Sequence, residues 1–163
     1  MRAKLKYLSV TILLAVVFHC CVKKKNYSQS PQIEFKNFYP YQGDSADMVI
    51  GFSDGDGDIG KEINDTTRNL WMNYYYKDSL TGQYVGYPDY SKPGPPFDTL
   101  RTGYTIRKPV DDYEGKSISG EVSVRIRKYR HYNQIKAVRY VIYMYDNSGN
   151  KSNVITTPEL FVP

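Results

Sequence analysis

Alternation of apolar and polar side chains with a period of two is the feature that most constrains how this chain can fold. In the segment EVSVRIRKY, residues 121–129, the side chains of Val122, Val124 and Ile126 point to one side of an extended backbone. Polar side chains, including Arg125 and Arg127, point to the other side. Such a strand has one face in a core and one face in water, which is typical of antiparallel sheets.

Most other periodic segments are also rich in β-branched and aromatic residues, and residues 136–145 are apolar on both faces, which predicts a central strand. Further strands are predicted around Ile33 and Phe35, at 48–52, 70–77, 84–87 and 104–107, and around Val154 and Ile155. No segment carries the long 3.6-residue period that a parallel βαβ fold requires. The sequence therefore predicts an all-β, antiparallel β-sandwich of about seven to eight strands.

The N-terminus carries a targeting signal. Arg2, Lys4 and Lys6 precede an apolar run at 8–18, which is shorter than the ~20 residues of a membrane-spanning helix. The run ends at Cys20 and Cys21, and this arrangement resembles a bacterial lipoprotein signal, in which the cysteine after the cleavage site is acylated. The resemblance implies anchoring to a membrane by lipid.

Two cysteines compete for the acyl chain. Cys21 has the small Cys20 directly before it, as signal peptidases require, whereas Cys20 follows the bulky His19 but has Val17 at the expected apolar position. We take Cys21 (or Cys20) as the lipidation site; an ordinary secretory signal and an uncleaved anchor are the alternatives. The predicted organisation is a signal peptide at 1–20, a lipid-anchored linker at 21–31 and a single domain at 32–163.

The charge balance argues against nucleic acid as a partner. The chain has 22 basic and 17 acidic residues, a net charge of +5. Three of the basic residues lie before the cysteine pair, which leaves 19 basic against 17 acidic side chains. A nucleic-acid footprint would need a basic stripe. A row formed by Arg125, Arg127, Lys128 and Arg130 indicates a solvated sheet face, with contact to anionic lipid or acidic polysaccharide as the alternative.

The segment GFSDGDGDIG, residues 51–60, is the one stretch whose composition indicates a chemical role, namely binding of a cation. Asp54, Asp56 and Asp58 alternate with glycines directly after an apolar strand, so that their side chains can converge on one point. Ca²⁺ suits such a set of oxygens, with six to eight ligands at about 2.3–2.6 Å. We predict a Ca²⁺ site with Asp54, Asp56, Asp58 and Asp65 as ligands; Asn64, Asp44, Asp47 or a backbone carbonyl are open alternatives. The competing interpretation is a solvated turn, because Asp-Gly pairs favour turns.

The loop partly resembles an EF-hand or dockerin-type loop, D-x-D-x-D-G. The resemblance fails in its details, because Ile59 stands where the glycine should be and Asp65 stands where a bidentate glutamate should be. Helical patterns do not flank it either. A calcium loop between strands, with a structural role, is the better interpretation.

The C-terminal segment VIYMYDNSGNKSN resembles the last-strand signature of bacterial immunoglobulin-like and fibronectin-type domains, with Asp146, Gly149 and Asn150 at the motif positions. Together with the lipoprotein signal and the F-x-DGDGDIG loop, the chain is similar to small uncharacterised envelope lipoproteins of the Bacteroidetes type. The resemblance implies an immunoglobulin-like sandwich in the cell envelope, facing the periplasm or on the outer-membrane surface.

Function is predicted as non-enzymatic: a calcium-stiffened structural or protein-interaction module that contacts another envelope protein. The alternative is a glycan-binding lipoprotein of a polysaccharide-uptake system, because the chain has 17 tyrosines and Trp71, and Tyr87, Tyr90 and Phe97 could stack on sugar rings. An enzyme is disfavoured, because no nucleophile elbow, zinc motif or phosphate loop is present and His131 stands alone in a basic segment. The carboxylates of Asp111, Asp112 and Glu114 are better explained as part of a loop.

Overall fold

The computed structural model describes residues 27–108, 113 and 115–162, which form two antiparallel sheets packed face to face. The predicted signal peptide and both cysteines lie outside the described residues. Nine strands are present in the described part, and no helix there is long and apolar enough to cross a membrane. The strands are β1 (Gln32–Pro40), β2 (Ala46–Asp54), β3 (Leu70–Lys77), β4 (Tyr84–Gly86), β5 (Arg101–Tyr104), β6 (Ile118–Ile126), β7 (Ala137–Met144), β8 (Ile155–Thr156) and β9 (Leu160–Phe161).

The smaller sheet has the order β1-β2-β6. Its centre is β2, which pairs along its whole length with β6, from Ala46 opposite Ile126 to Asp54 opposite Ile118. The side chains of Met48 and Ile50 are fully buried, because they lie on the inner face of this central strand. In β6, Val124 and Ile126 are buried while Arg125 is exposed, so the predicted alternation is confirmed.

The larger sheet is built on β3 and β7, which pair from Leu70 opposite Met144 to Tyr76 opposite Val138. The strands β4 and β5 pair with the other edge of β3, and β8 and β9 pair with the other edge of β7. The prediction of a central strand over 136–145 is therefore confirmed. The hairpin predicted from 70–77 to 84–87 is also confirmed, with Asp78 closing its turn through its carboxylate and the backbone N–H of Thr81.

The core lies between the two sheets and combines aliphatic residues with buried tyrosines. Met48, Leu70 and Ile142 are fully buried. Tyr74 extends into this core, and its hydroxyl donates a hydrogen bond of 2.8 Å to the carbonyl oxygen of Tyr129. Much of the tyrosine content is thus structural, because a buried tyrosine needs a partner for its hydroxyl. The architecture is the immunoglobulin-like β-sandwich that the sequence predicts.

Three details differ from the predicted strands. The strand predicted at 104–107 lies instead at Arg101–Tyr104, and β9 was not predicted. The strand was predicted too late in the chain because Gly103 weakens the strand pattern. A glycine is nevertheless needed at this position, because a Cβ atom would lie 2.7 Å from the ring of Trp71. The third difference is the strand count: the described part has nine strands, because two short strands of two residues each, β8 and β9, follow β7.

The end of the predicted linker lies against the domain. Pro31 is buried, and the hydroxyl of Tyr27 donates a hydrogen bond of 3.2 Å to Oγ of Ser119 on β6. The backbone carbonyls of Tyr27 and Ser28 also lie close to Gly55 in the acidic loop. The segment before β1 therefore contacts the part of the sandwich where the acidic loop emerges.

Candidate metal centre

The acidic loop leaves the sandwich at the end of β2. Asp54 is the last residue of that strand and pairs with Ile118, the first residue of β6. Its side chain is completely buried, whereas those of Asp56 and Asp58 are half-buried. Ile59 is 2% exposed and anchors the loop in the core. The loop thus begins and ends on buried residues, and of its three carboxylates only that of Asp54 is completely buried.

The three predicted carboxylates converge. One oxygen from each of Asp54, Asp56 and Asp58 lies within 4.8 Å of the others. Two oxygens that bind one Ca²⁺ are separated by no more than about 5 Å, twice the metal–oxygen distance. The spacing of the three oxygens therefore fits a single Ca²⁺ ion. The convergence follows from the D-G-D-G-D pattern, since the intervening glycines allow the backbone to wrap around a point.

Each of the three carboxylates has an oxygen that is buried and lacks a protein partner. The Oδ1 atoms of Asp54, Asp56 and Asp58 accept no hydrogen bond from any described residue. A buried anionic oxygen without a partner is costly, and three of them within one cluster also repel one another. A solvated turn would leave these atoms in water. Their burial is a departure from an ordinary solvated Asp-Gly turn, and the three carboxylates are a group that could hold a metal ion.

The pKa of Asp54 is raised by the same burial and mutual repulsion of negative charges. Burial, followed by the charges of Asp56 and Asp58, raises the pKa of the Asp54 carboxyl to about 6. The negative charge of Asp146 contributes in the same direction. In the absence of a cation, Asp54 therefore takes up a proton as the pH falls toward 6, which relieves part of the repulsion.

Hydrogen bonds to the backbone hold the loop in shape. The other oxygen of Asp54, Oδ2, accepts the N–H of Asp58 at 3.1 Å, which closes the loop on itself. The hydroxyl of Ser117 donates to the carbonyl of Gly55 at 3.0 Å. The N–H of Gly115 donates to the carbonyl of Asp56 at 2.6 Å. The segment before β6 therefore supports the acidic loop from one side.

The turn after β7 supports the loop from the other side. The N–H of Ser148 donates to Oδ2 of Asp58 at 2.8 Å, and the side-chain amide of Asn147 donates to the carbonyl of Gly60 at 2.7 Å. Asp146 is only 3% exposed, and its carboxylate accepts the backbone N–H and the side-chain amide of Asn150. The two motifs of the sequence, the acidic loop and the DNSGN turn, thus form one structural unit.

Sequence reasoning did not foresee the contribution of Asp146 and its turn to the electrostatics of the acidic loop. The only signal available was an acidic residue in the DNSGN motif, which the turn itself explains. Gly149 has a φ of +87°, as expected for the glycine of that turn.

The fourth predicted ligand, Asp65, is not part of the carboxylate cluster. Its Oδ1 accepts the N–H of Thr67 at 2.8 Å, and its backbone carbonyl accepts a hydrogen bond from Arg107. Two alternatives, Asp44 and Asp47, have basic partners: Arg130 lies 2.9 Å from Asp44, and Arg125 donates twice to Asp47. The described structure thus brings three of the predicted ligands together and leaves the fourth in a neighbouring turn.

The three predicted glycan-stacking residues lie in one aromatic cluster. The ring centroids of Tyr90 and Phe97 are 4.9 Å apart, and Tyr90 lies 5.9 Å from Tyr87. Tyr87 is buried beneath Tyr90, His131 and Tyr132, so its faces contact protein. Tyr90, Phe97 and Tyr132 are the exposed members of the cluster, and Tyr132 was not predicted. Trp71 lies apart, with the guanidinium of Arg101 at 4.8 Å over its ring.

The structure places one of the residues considered for catalysis, His131, in the aromatic cluster. His131 packs against Tyr74 and Tyr87, with centroid distances of 4.8 and 4.3 Å. Burial, followed by the charge of Lys128, lowers the pKa of this imidazole. Asp111, Asp112 and Glu114 lie outside the described residues.

Comparison with protein-family models, with curated proteins and with solved structures returned no match.

Substitution of Gly57 tests how tightly the loop is held. Gly57 has a φ of +73°, and a Cβ atom there would overlap the carbonyl of Tyr113 and lie 2.5 Å from that of Lys116. Gly82 has a similar φ of +69° but open space around it. We expect Gly82→Ala to cost about 1–2 kcal/mol of unfolding free energy from backbone strain alone. Gly57→Ala should cost roughly 1–3 kcal/mol more because of the overlap.

The measurement is the urea midpoint and slope of each variant against the unsubstituted chain. Equal destabilisation by the two substitutions would contradict a loop packed against the backbone of Tyr113 and Lys116.

Proposed function

We propose that this chain is a non-enzymatic cell-envelope lipoprotein whose immunoglobulin-like domain is a structural or protein-interaction module, stiffened by Ca²⁺ bound at Asp54, Asp56 and Asp58. The observation that carries the calcium assignment is the set of three buried carboxylate oxygens that lack protein partners. The envelope assignment is supported by the N-terminal sequence alone, through the charged start, the apolar run and the cysteine pair.

The position of the carboxylates supports a structural role for the ion. They lie where β2 ends, where the segment leading into β6 begins and where the turn after β7 approaches. The strand β2 belongs to the smaller sheet and β7 to the larger one. A cation that binds all three carboxylates would therefore fix one end of the sandwich. Extracellular calcium modules of this kind bind with dissociation constants of about 10⁻⁴–10⁻³ M.

A rigid end of a sandwich is useful for binding. Loops at the end of an immunoglobulin-like domain are common contact surfaces, because the sheets below hold them in place. An ordered loop also loses less conformational entropy when a partner binds. We therefore place the contact surface for an envelope partner at the calcium-stiffened end.

Calcium should raise the melting temperature of the protein. For the full-length chain in detergent, we expect an increase of roughly 10 °C when Ca²⁺ reaches 100 times its dissociation constant, because only the folded state binds the ion. Asp56→Asn should abolish most of this increase. Asp98→Asn is the matched control, since the carboxylate of Asp98 lies in an exposed loop and forms its ion pair with Lys92. Asp65→Asn should also keep the calcium response, because Asp65 lies outside the carboxylate cluster.

The readout is the difference in melting temperature between excess Ca²⁺ and a chelator, measured for each variant. An equal melting temperature with Ca²⁺ and with the chelator in the unsubstituted chain would mean that the loop is a turn without a Ca²⁺ site. Loss of the response in Asp65→Asn but not in Asp56→Asn would place the ion elsewhere.

Acylation of Cys21 is the second testable component. When the full chain is expressed in a bacterium fed an alkyne-labelled fatty acid, the protein should become labelled. Cys21→Ser should lose the label and Cys20→Ser should keep it, because a small residue must precede the cleavage site. The opposite pattern would assign the acyl chain to Cys20. Absence of label from the unsubstituted chain would indicate an ordinary secretory signal.

Glycan binding is a second candidate function, and the exposed aromatic cluster favours it. Tyr90, Phe97 and Tyr132 are 58%, 38% and 46% exposed and lie above the buried Tyr87. Large aromatic side chains grouped at a surface offer stacking faces for sugar rings, and the tyrosine hydroxyls add polar contacts. A polysaccharide-uptake system is the setting in which an envelope lipoprotein would use such a surface.

This candidate predicts binding of xylo- or cello-oligosaccharides that depends on the cluster. Tyr90→Ala and Phe97→Ala should each weaken binding about three- to tenfold, since an aromatic contact contributes roughly 0.5–1.5 kcal/mol. Tyr39→Ala is the matched control, because Tyr39 is 51% exposed but lies on β1 outside the cluster. Isothermal titration of all three variants gives the affinities. Equal losses in the three variants, or binding by none including the unsubstituted chain, would contradict this candidate.

A further inference from the structure

Strand β6 has a long edge that no other strand of the described structure pairs with. β6 runs over nine residues, Ile118–Ile126, and pairs only with β2, in a ladder without a bulge. The backbone N–H and C=O groups of every second residue of β6 therefore point away from β2. Between described residues, no backbone hydrogen bond outside the β2 ladder involves these groups. An unpaired row of this kind is a template for another strand.

The other edges of the two sheets are blocked or short. At the edge of β1, the side chain of Asn153 binds both the N–H and the C=O of Ile33, at 2.7 and 2.9 Å. A bulge between Phe35 and Asn37 also interrupts the ladder of β1. The remaining edge strands of the described part, β4, β5, β8 and β9, have two to four residues each. Bulges and short strands protect a sheet against edge-to-edge pairing, and β6 has neither protection.

The edge of β6 is accessible. The strands β5 and β6 belong to different sheets, and β6 lines the cleft between them with Ser123, Val124, Arg125 and Ile126. Ser123 and Arg125 are exposed. A strand that approaches in the plane of the smaller sheet therefore reaches this edge without displacing a described strand.

The side chains of β6 are complementary to a second copy of the same strand. The outer face of β6 carries Glu121, Ser123 and Arg125, all exposed. When two copies of β6 pair antiparallel about a twofold axis at Ser123, Glu121 of each copy lies opposite Arg125 of the other. On the inner face, the same register places Val122 opposite Val124 of the second copy. Opposite charges directly across a ladder are stabilising, and the twofold axis forms each pair twice.

Both charged groups have the capacity for this pairing. Glu121 takes part in no hydrogen bond or ion pair between described residues, and Lys36 pairs with Glu34 instead. Arg125 donates to Asp47 through Nε and Nη2, which holds its guanidinium on the outer face of the sheet. A guanidinium has five N–H donors, more than one carboxylate accepts. Donors of Arg125 are therefore left for the carboxylate of an incoming Glu121.

We propose that the edge of β6 binds β6 of a second copy of this chain, antiparallel and in the register that places Glu121 opposite Arg125. The smaller sheets of the two copies then form one continuous sheet, with the strand order β1-β2-β6-β6-β2-β1. The contact does not depend on calcium, because the acidic loop lies outside the paired residues 120–126. It also gives Arg125, a member of the basic row, a role beyond solvation of the sheet.

Sedimentation equilibrium of the full chain in detergent tests the proposal, with micelles in large excess so that two chains rarely share one by chance. The unsubstituted chain should show a monomer–dimer equilibrium. Glu121→Arg and Arg125→Glu should each raise the dissociation constant at least about tenfold, because two attractive pairs become repulsive. Glu34→Arg is the matched control and should leave the constant unchanged. Glu34 is also an exposed carboxylate opposite Gly51, but it lies on β1.

A mixture of the two weakened variants gives the sharpest result. A chain with Glu121→Arg meets a chain with Arg125→Glu through two attractive pairs, because the exchanged charges again lie opposite one another. The mixture should therefore form heterodimers about as tightly as the unsubstituted chain forms homodimers. Fluorophores of two colours, one on each variant, report the heterodimer. The melting temperature of each variant shows whether it is folded.

Hydrogen exchange of the unsubstituted chain is a second measurement that needs no substitution. Amides within 120–126 that point away from β2 should exchange more slowly at concentrations where the dimer forms. A monomer at every concentration, an equal loss of affinity in Glu34→Arg, or no heterodimer in a mixture of folded variants would each overturn the proposal. Protection on dimerisation that leaves out 120–126 would overturn it as well.

Discussion

Burial of negative charge at one end of the sandwich is the constraint on which the rest of this structure depends. Asp54 is completely buried at the end of a central strand, and oxygens of Asp56 and Asp58 lie beside it without protein partners. Such a cluster is unfavourable by itself, because burial and mutual repulsion both oppose ionisation. The backbone around it is nevertheless well supported, by Ser117 on one side and by Ser148 on the other. This rigid frame around an electrostatically unfavourable centre is what supports the Ca²⁺ site proposed above.

Tyrosine has two different roles in this fold. Tyr74, Tyr129 and Tyr140 are core residues, and the hydrogen bond from Tyr74 to the carbonyl of Tyr129 links the larger sheet to the segment after β6. Tyr90 and Tyr132 lie at the surface above Tyr87. Burial strongly raises the pKa of Tyr140, whereas hydrogen bonding with Tyr132 raises that of Tyr90. A count of tyrosines could not separate these roles, because the same residue type suits a half-buried strand, an aromatic core and a sugar-binding surface.

The edges of β5 and β6 leave one side of the sandwich without a ladder in the described structure. An immunoglobulin-like sandwich closes its core by packing two sheets, but its sides depend on what the edge strands carry. Here the β6 edge carries Arg125 and is followed by Arg127, and the sheet opposite it ends at the short strand β5. The cleft between them is lined by a mixture of apolar, hydroxyl-bearing and basic side chains, among them Ile126, Ser123 and Arg127.

The sequence by itself determined the local features of this protein. Period-two alternation in EVSVRIRKY and the apolar run at 136–145 predicted strands that the structure contains, and the D-G-D-G-D spacing predicted three carboxylates that converge. These features depend on neighbours along the chain, which a sequence displays directly. Only the tertiary structure brought the turn at Asp146 to the acidic loop, separated Asp65 from the cluster, buried Tyr87 beneath Tyr90 and opened the cleft between β5 and β6. Those features depend on which distant segments the sheet pairing brings together, because strand order and register are set by the packing of the whole core.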